Sequence, residues 1–226
     1  MGVTVLDHQA RQSSSLSLAT ANSRWSALRG SGSHRISIRR GEMPASAGIS
    51  AHQCFFVIEG ALRIWRSLSD GRRQITAFAF AGDWVGFDDV GEDNVCIEAV
   101  TPVLAERYLL RNLQTAAAAD AEVAASLQDL LRSRIRATQE RILVLGHKNT
   151  REKIASFILE MSDRLAHGED MVELPMSRHD IADYLGMSPE TVCRNLTNLV
   201  ADGMIMLPTP NLVHILRRSS LEYIAI

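Results

Sequence analysis

Ser177-Arg-His-Asp-Ile-Ala-Asp-Tyr-Leu-Gly-Met-Ser-Pro-Glu-Thr-Val-Cys-Arg-Asn-Leu-Thr-Asn-Leu199 is the stretch on which the reading of this chain turns. Ile181, Ala182 and Leu185 recur at helical spacing, and Gly186 supplies the permissive backbone that a sharp turn between helices needs. Ser188 then reads as an N-cap and Pro189 as the first helical residue, where a missing N–H costs nothing. Val192, Leu196 and Leu199 form the buried stripe of a second helix. Ala182 matters because a larger side chain would keep the two helices from crossing closely. A small residue, a glycine four positions on and a β-branched residue six beyond that is the spacing of a DNA-binding helix-turn-helix. The second helix leaves Glu190, Cys193, Arg194 and Thr197 on its outer face. A carboxylate that accepts from cytosine N4 and a guanidinium that donates to guanine O6 and N7 are what base reading requires. A buried helical hairpin of an ordinary enzyme domain does not explain these exposed charges.

Composition bounds the rest. At 226 residues the chain accommodates two domains, each with its own core, and a net charge of −2 gives no global basic field. Positive charge for DNA must therefore be local. Cys54, Cys96 and Cys193 are three, widely spaced, and read neither as a disulfide framework nor as a metal site, which suits the cytoplasm. No apolar run approaches a membrane span, and the N-terminus lacks the pattern of a signal peptide. No Ser/His/Asp or paired-carboxylate constellation gathers in the sequence, so no catalytic residue is assigned and an enzyme is not expected.

Outward from the helix-turn-helix, the chain divides into four stretches. Residues 1–28 are rich in Ser, Ala and Thr and are expected to be loose, apart from a short helix around Trp25 and Leu28. Residues 29–111 alternate in short strands: His34–Ile38, Cys54–Ile58, Ala61–Arg66, Gln74–Phe80, Ile97–Val100 and Val103–Tyr108. Turns fall at Gly41-Glu42, Ser69–Arg72 and Ala81–Asp83, and strands so short and evenly spaced predict a jelly-roll β-barrel. Residues 112–146 are predicted to be one long helix. Ala124, Leu127, Leu131, Ile135, Thr138, Ile142 and Leu145 follow at steps of three or four, a narrow seam of the kind a two-helix coiled coil buries, which points to a homodimer. Gly146 is expected to interrupt that helix, and Asn149 with Glu152 to cap the next, from Thr150 to Leu165. Residues 147–226 then hold a loop and short strand, the helix-turn-helix, and a β-hairpin of Met204–Leu207 and Leu212–Leu216 joined by Pro208–Asn211, the wing of a winged helix. The class is α+β: barrel, long dimerisation helix, winged helix-turn-helix.

That order resembles the cyclic-AMP receptor / fumarate-nitrate regulator family of bacterial transcription factors, over residues from about 30 to 217. Ser69-Asp-Gly-Arg-Arg-Gln-Ile-Thr-Ala-Phe78, Ala81-Gly-Asp-Trp-Val-Gly-Phe87 and Leu174-Pro-Met-Ser-Arg-His-Asp-Ile-Ala-Asp-Tyr-Leu-Gly186 are similar to its FixK-type branch. The resemblance implies that Glu190 and Arg194, with Cys193 where relatives carry serine, read a TTGA-type half-site. Ser177, Arg178, Ser188, Thr191 and Thr197 would meet the DNA backbone, and the turn with Asp70, Gly71, Arg72 and Arg73 would touch RNA polymerase. Pro189 stands where cyclic-AMP receptors carry a further arginine, which argues against a TGTGA-type half-site.

The resemblance also bears on the signal. The stretch Phe87–Asn94 is acidic and lacks the arginine that holds a cyclic phosphate, so cyclic AMP is not expected to bind. Residues 1–53 hold no cysteine and the barrel cysteine position is Ala105, so no iron–sulfur cluster is expected either. Cys96 reads as a buried small hydrophobe. Cys193 lies in the first turns of the recognition helix, where the helix dipole favours thiolate, and it is the candidate for oxidative control. The expected function is an activator of oxygen-limitation or nitrogen-oxide-related genes that carries no cofactor. The alternatives are a haem- or small-molecule-responsive regulator of the same family, with His34 and His52 as conceivable ligands, and a regulatory module that binds protein rather than DNA.

Overall fold

The computed structural model describes residues 26–29, 32–44, 52–87, 95–165 and 170–225. Trp25 and the acidic stretch after Phe87 lie outside the described residues. The chain divides into two compact units, one ending at Arg136 and the other running on from Ala137.

The first unit holds α1 (Ser26–Arg29), β1 (His34–Ile38), β2 (Gln53–Glu59), β3 (Leu62–Ser67), β4 (Arg73–Ala79), β5 (Trp84–Val85), β6 (Val95–Ala99) and β7 (Val103–Leu109). One sheet runs β1-β7-β2-β5 and the other β4-β3-β6, with every pairing antiparallel. Alternation decides which face each residue serves. Phe55, Val57, Leu62, Ala79, Ile97 and Ala105 point inward and fill the β-barrel with one apolar cluster. Cys54, Phe56, Trp84 and Tyr108 take the opposite face of the first sheet.

That outer face is covered by helix. α2 (Leu110–Ala119) leaves β7 directly, and α3 (Ala121–His147) follows it. Leu28, Leu113, Val123 and Leu130 join Cys54, Phe56, Trp84 and Tyr108 in a second cluster. The predicted single helix is therefore two. Asp120 breaks it by taking extended backbone (φ −135°) and accepting the Glu122 N–H on its carboxylate at 2.8 Å, which starts α3 afresh. Gly146, expected to end the helix, lies within its last turn. The chain leaves the helix at Lys148-Asn149, where the Asn149 side chain accepts from the Arg151 and Glu152 amides at 3.0 and 3.1 Å and Glu152 reaches back to the Asn149 N–H.

A buried polar knot fastens α1 to this face. Glu106, 6% exposed on β7, takes two hydrogen bonds from Arg29 (2.9 and 2.6 Å) and one from the Tyr108 hydroxyl (2.7 Å). The Arg29 guanidinium, which also lies over the Phe56 ring, is the main cause that holds the Glu106 carboxyl below its ordinary range. Burial first, and then the Glu106 carboxylate, push the Tyr108 phenol up to about 12. The cysteines divide by face. Cys54 is buried, and burial pushes its thiol up to about 12. Cys96, expected in a core, is only half-buried. It pairs across from Trp65 on the face turned away from the apolar filling, because its neighbours Val95 and Ile97 take the inward positions of β6. Burial and the Glu98 carboxylate raise its thiol.

The second unit holds the C-terminal part of α3, then α4 (Thr150–Leu165), β8 (Met171–Glu173), α5 (Arg178–Leu185), α6 (Pro189–Ala201), β9 (Ile205–Thr209), β10 (Leu212–Ile215) and α7 (Arg218–Ile224). A small antiparallel sheet, β8-β10-β9, forms the wing and its root. Pro208, expected in the turn, falls within β9, an edge strand where a missing N–H is tolerated. α7 was not foreseen from sequence. Only Leu221 of it is fully buried, so its apolar signal is short, and polar contacts hold it. Arg218 pairs with Asp163, Asp170 and Glu222, and Lys148 donates to the Ala225 carbonyl.

Candidate nucleic-acid interface

The helix-turn-helix forms because each of its ends is specified locally. Ser177 and Asp180 make a reciprocal capping box at the start of α5: the Ser177 hydroxyl accepts the Asp180 N–H at 3.1 Å, and the Asp180 carboxylate accepts the Ser177 N–H at 3.0 Å. Gly186 ends α5 in the left-handed region (φ +64°), and Ala182, 1% exposed, allows the close crossing. Ser188 caps α6 by accepting the Thr191 N–H at 3.2 Å, and Pro189 begins it. Val192, Leu196 and Leu199 are buried, as the spacing predicted.

The opposite face of α6 is open. Glu190, Cys193, Arg194, Thr197 and Asn198 are exposed, while Thr191 is half-buried. Asn198 is a polar group on that face which the sequence reading passed over, although its spacing from Arg194 by one helical turn was visible. A backbone hydrogen bond at the helix start and the Ser188 hydroxyl hold the Glu190 carboxyl below its ordinary range, and the nearby His179 adds to this. Glu190 is thus presented as an acceptor. The Ser188 and Thr191 hydroxyls share a 3.1 Å hydrogen bond, and the Thr197 hydroxyl donates to the Cys193 carbonyl at 3.0 Å. These hydroxyls already have partners within the helix-turn-helix, so contact with a phosphate requires sharing or exchange of those bonds.

The recognition helix is braced from behind. Asn195, 6% exposed, donates to the Thr191 carbonyl at 2.8 Å and to the Thr150 hydroxyl at the start of α4 at 3.4 Å. Arg151 pairs with Asp202 just past the other end of α6. A second brace comes from α3. The Arg141 guanidinium lies 3.3 Å from the centroid of the Tyr184 ring and donates to the Tyr184 carbonyl, one of the unpaired carbonyls at the end of α5. The Tyr184 hydroxyl in turn donates to Glu160 of α4 at 3.1–3.2 Å. Burial lowers the Arg141 pKa, and the Tyr184 phenol is raised above its ordinary value, chiefly by burial and then by Glu160.

The remaining sequence assignments fall elsewhere. On α3, Leu131 (41% exposed), Ile135 (59%) and Ile142 (63%) are exposed together with Thr138, and Leu145 is half-buried. Leu127, assigned to the same seam, instead packs on the barrel's second cluster beside Leu130, because Val123, Leu127 and Leu130 share the face turned to the sheet. The β3–β4 turn carries an internal ion pair: Asp70 accepts from the Arg72 backbone N–H at 3.0 Å and from Arg72 Nε at 2.7 Å. Arg73 lies over the Trp65 ring, 5.9 Å from its centroid. His34 and His52 are exposed and stand outside the apolar filling of the barrel.

A β-barrel of this topology, a long helix and a winged helix-turn-helix with an open, charged recognition face define a DNA-binding transcription regulator, not an enzyme. The description of a Crp-like helix-turn-helix domain matches residues 152–224, and that of a cyclic nucleotide-binding domain matches residues 35–105. The nitrogen fixation regulation protein FixK of Azorhizobium caulinodans is 37% identical over 176 residues, 76% of this chain and 71% of that protein. The FixK protein of Rhizobium meliloti is 35% identical over 170 residues, 75% of this chain and 77% of that protein. The structure of FixK2 from Bradyrhizobium japonicum superimposes with a TM-score of 0.81 at 33% identity, covering 86% of this chain and 98% of that one. The chain belongs to the cyclic-AMP receptor / fumarate-nitrate regulator family, in its FixK-like branch. No helix among the described residues is long and apolar enough to cross a membrane.

Proposed function

We propose that the protein acts in the cytoplasm as a homodimer on a TTGA-N6-TCAA-type palindrome, activating genes of oxygen limitation or nitrogen-oxide metabolism with neither cyclic AMP nor an iron–sulfur cluster. The observation that carries this reading is the open face of α6, with Glu190, Cys193 and Arg194 outermost on a helix braced by Asn195, Arg151 and Arg141. Glu190 and Arg194 read bases. Ser177, Arg178, Ser188, Thr191 and Thr197 serve the backbone. The exposed stripe of Leu131, Ile135, Thr138 and Ile142 supports pairing with a second copy, since such a stripe facing water stabilises nothing in a monomer. Residues 29–111 form the sensor-like domain, 112–146 the helical pairing segment, whose seam lies on α3, and 147–226 the DNA-binding domain. The test is a mobility shift on a TTGA-N6-TCAA duplex beside a duplex with both half-sites scrambled. Preference for the first by about 10³-fold or more is the expected result for specific recognition; equal affinity sinks the assignment.

The Ser69–Gln74 turn serves RNA polymerase. Asp70 and Arg72 are exposed at the hairpin tip, and Arg73 follows half-buried as the first residue of β4, all remote in sequence from the recognition helix. Charge reversal at Arg72 and Arg73 leaves DNA affinity intact and lowers transcription in vitro. A loss of DNA binding would place this turn at the wrong interface.

Cys193 gives oxidative control. Its thiol is exposed on the outer face of α6, beside Glu190 and Arg194. Peroxide carries an exposed thiolate to sulfinate and sulfonate, the oxygen coming from peroxide with water or hydroxide leaving. A negative, bulky group there opposes the phosphate attraction that dominates affinity. Treated wild type loses DNA binding and Cys193→Ser keeps it. Equal sensitivity of the two proteins removes Cys193 from the mechanism.

A further inference from the structure

Arg178 is an unusual choice for its position. It is the first residue of α5, where the helix dipole disfavours a cation. Arg29, Arg63, Arg151 and Arg218 each pair with a carboxylate. Arg178 has no carboxylate partner among the described residues. Its Nη2 donates instead to a neutral acceptor, the Pro210 carbonyl at the tip of the β9–β10 wing. Four residues earlier, the Leu174 N–H donates at 2.8 Å to the next wing-tip carbonyl, that of Asn211. Two consecutive carbonyls of the tip are therefore held from one side by the segment that leads into the helix-turn-helix. Leu174 is 2% exposed, whereas Pro210 and Asn211 are exposed. The tip itself adds one local tie, from the Leu212 N–H to the Thr209 hydroxyl at 3.2 Å.

We infer that Arg178 is a positioning residue that clasps the wing tip to the start of the helix-turn-helix, and so fixes the wing against the recognition surface before DNA arrives. The clasp rests on the reading of α5 and α6 as the DNA-binding surface and extends it to the wing. A guanidinium has five N–H donors in a rigid fork, and one on Pro210 leaves others for a phosphate. Because its charge is not balanced by a carboxylate, the same group that seats the wing stays attractive to DNA. Lysine would keep the charge but not the fork, since it carries a point charge on a flexible stem. Wing and phosphate contact are thus set by one side chain, and the ordering cost of the tip is met in the free protein.

The test is amide hydrogen exchange on the full chain without DNA, in wild type, Arg178→Ala and Arg178→Lys. The reporters are the Leu174 and Leu212 amides, whose acceptors lie at the tip. Both variants speed exchange there by about tenfold, the loss expected for one charge-assisted hydrogen bond. Exchange at Phe157 in the core of α4 stays at the wild-type rate in both, which reports that the domain is folded. Arg178→Lys keeps the salt dependence of DNA binding and Arg178→Ala flattens it. Wild-type exchange at Leu174 and Leu212 in Arg178→Ala overturns the clasp, whatever happens to DNA affinity. Because the exchange is read without DNA, failure of the palindrome assignment leaves this result standing, and the reverse also holds.

Discussion

Replacing Leu131 and Ile135 together with glutamate yields a monomer by light scattering and abolishes binding to a duplex with two half-sites. The two side chains are 41% and 59% exposed in the single chain, and with Thr138 and Ile142 they form one stripe along α3. Burial of a large aliphatic side chain stabilises by about 1.5–3 kcal/mol, and each substitution acts twice in a symmetric pair. Four carboxylates forced into a narrow seam add the cost of desolvating like charges. Two half-sites about 34 Å apart need two recognition helices held at a fixed distance. Loss of that linkage removes an avidity of about 10²–10⁴-fold. The barrel stays folded, because its own apolar contacts with α3 run through Val123, Leu127 and Leu130 on the adjacent face of the helix. A double variant that remains dimeric would show that this stripe is not the seam.

Arg194→Ala costs about 1–3 kcal/mol of DNA affinity, and the loss is concentrated at the guanine of the half-site. Arg194 is exposed on α6 and the helix beneath it is packed through Val192, Leu196 and Leu199, so the substitution removes donors without disturbing the fold. Measured against a panel of duplexes with each half-site base changed in turn, the variant loses discrimination at one position and keeps it elsewhere. Arg178→Ala, by contrast, lowers affinity for every duplex alike. A uniform loss for Arg194→Ala would make it a phosphate contact and leave base reading to Glu190 and its neighbours.

The parts legible in sequence are those that local chemistry decides. The two helices of the helix-turn-helix end where Ser177, Gly186, Ser188 and Pro189 say they should, because a cap or a left-handed turn is specified by one or two residues. The barrel strands were readable from alternation. What escaped depends on neighbours distant in the chain. Leu127 and Leu131 look alike at helical spacing, yet one faces the sheet and the other water, a choice made by where α2 sets α3 down. Asp120 gives no glycine or proline warning of the break it makes, since aspartate stops one helix and caps the next with the same side chain. Cys96 reads as apolar filling until its strand's register turns it outward. At the candidate site the outward residues were legible, whereas the ties from Arg178 to Pro210, Arg141 to Tyr184 and Asn195 to Thr150 cross from 32 to 45 positions of sequence and carry no motif.

The stack of Arg141 on Tyr184 makes helical phase a quantity this protein must conserve. Ile135, Thr138 and Ile142 point one way from α3, and Arg141, one residue before Ile142, is turned about 100° from it, onto the helix-turn-helix. A single residue inserted between Thr138 and Arg141 would leave the Arg141–Tyr184 stack chemically intact, yet would turn Thr138 by that angle about the helix axis relative to it. Substitutions along this turn are therefore tolerated far more readily than changes of length.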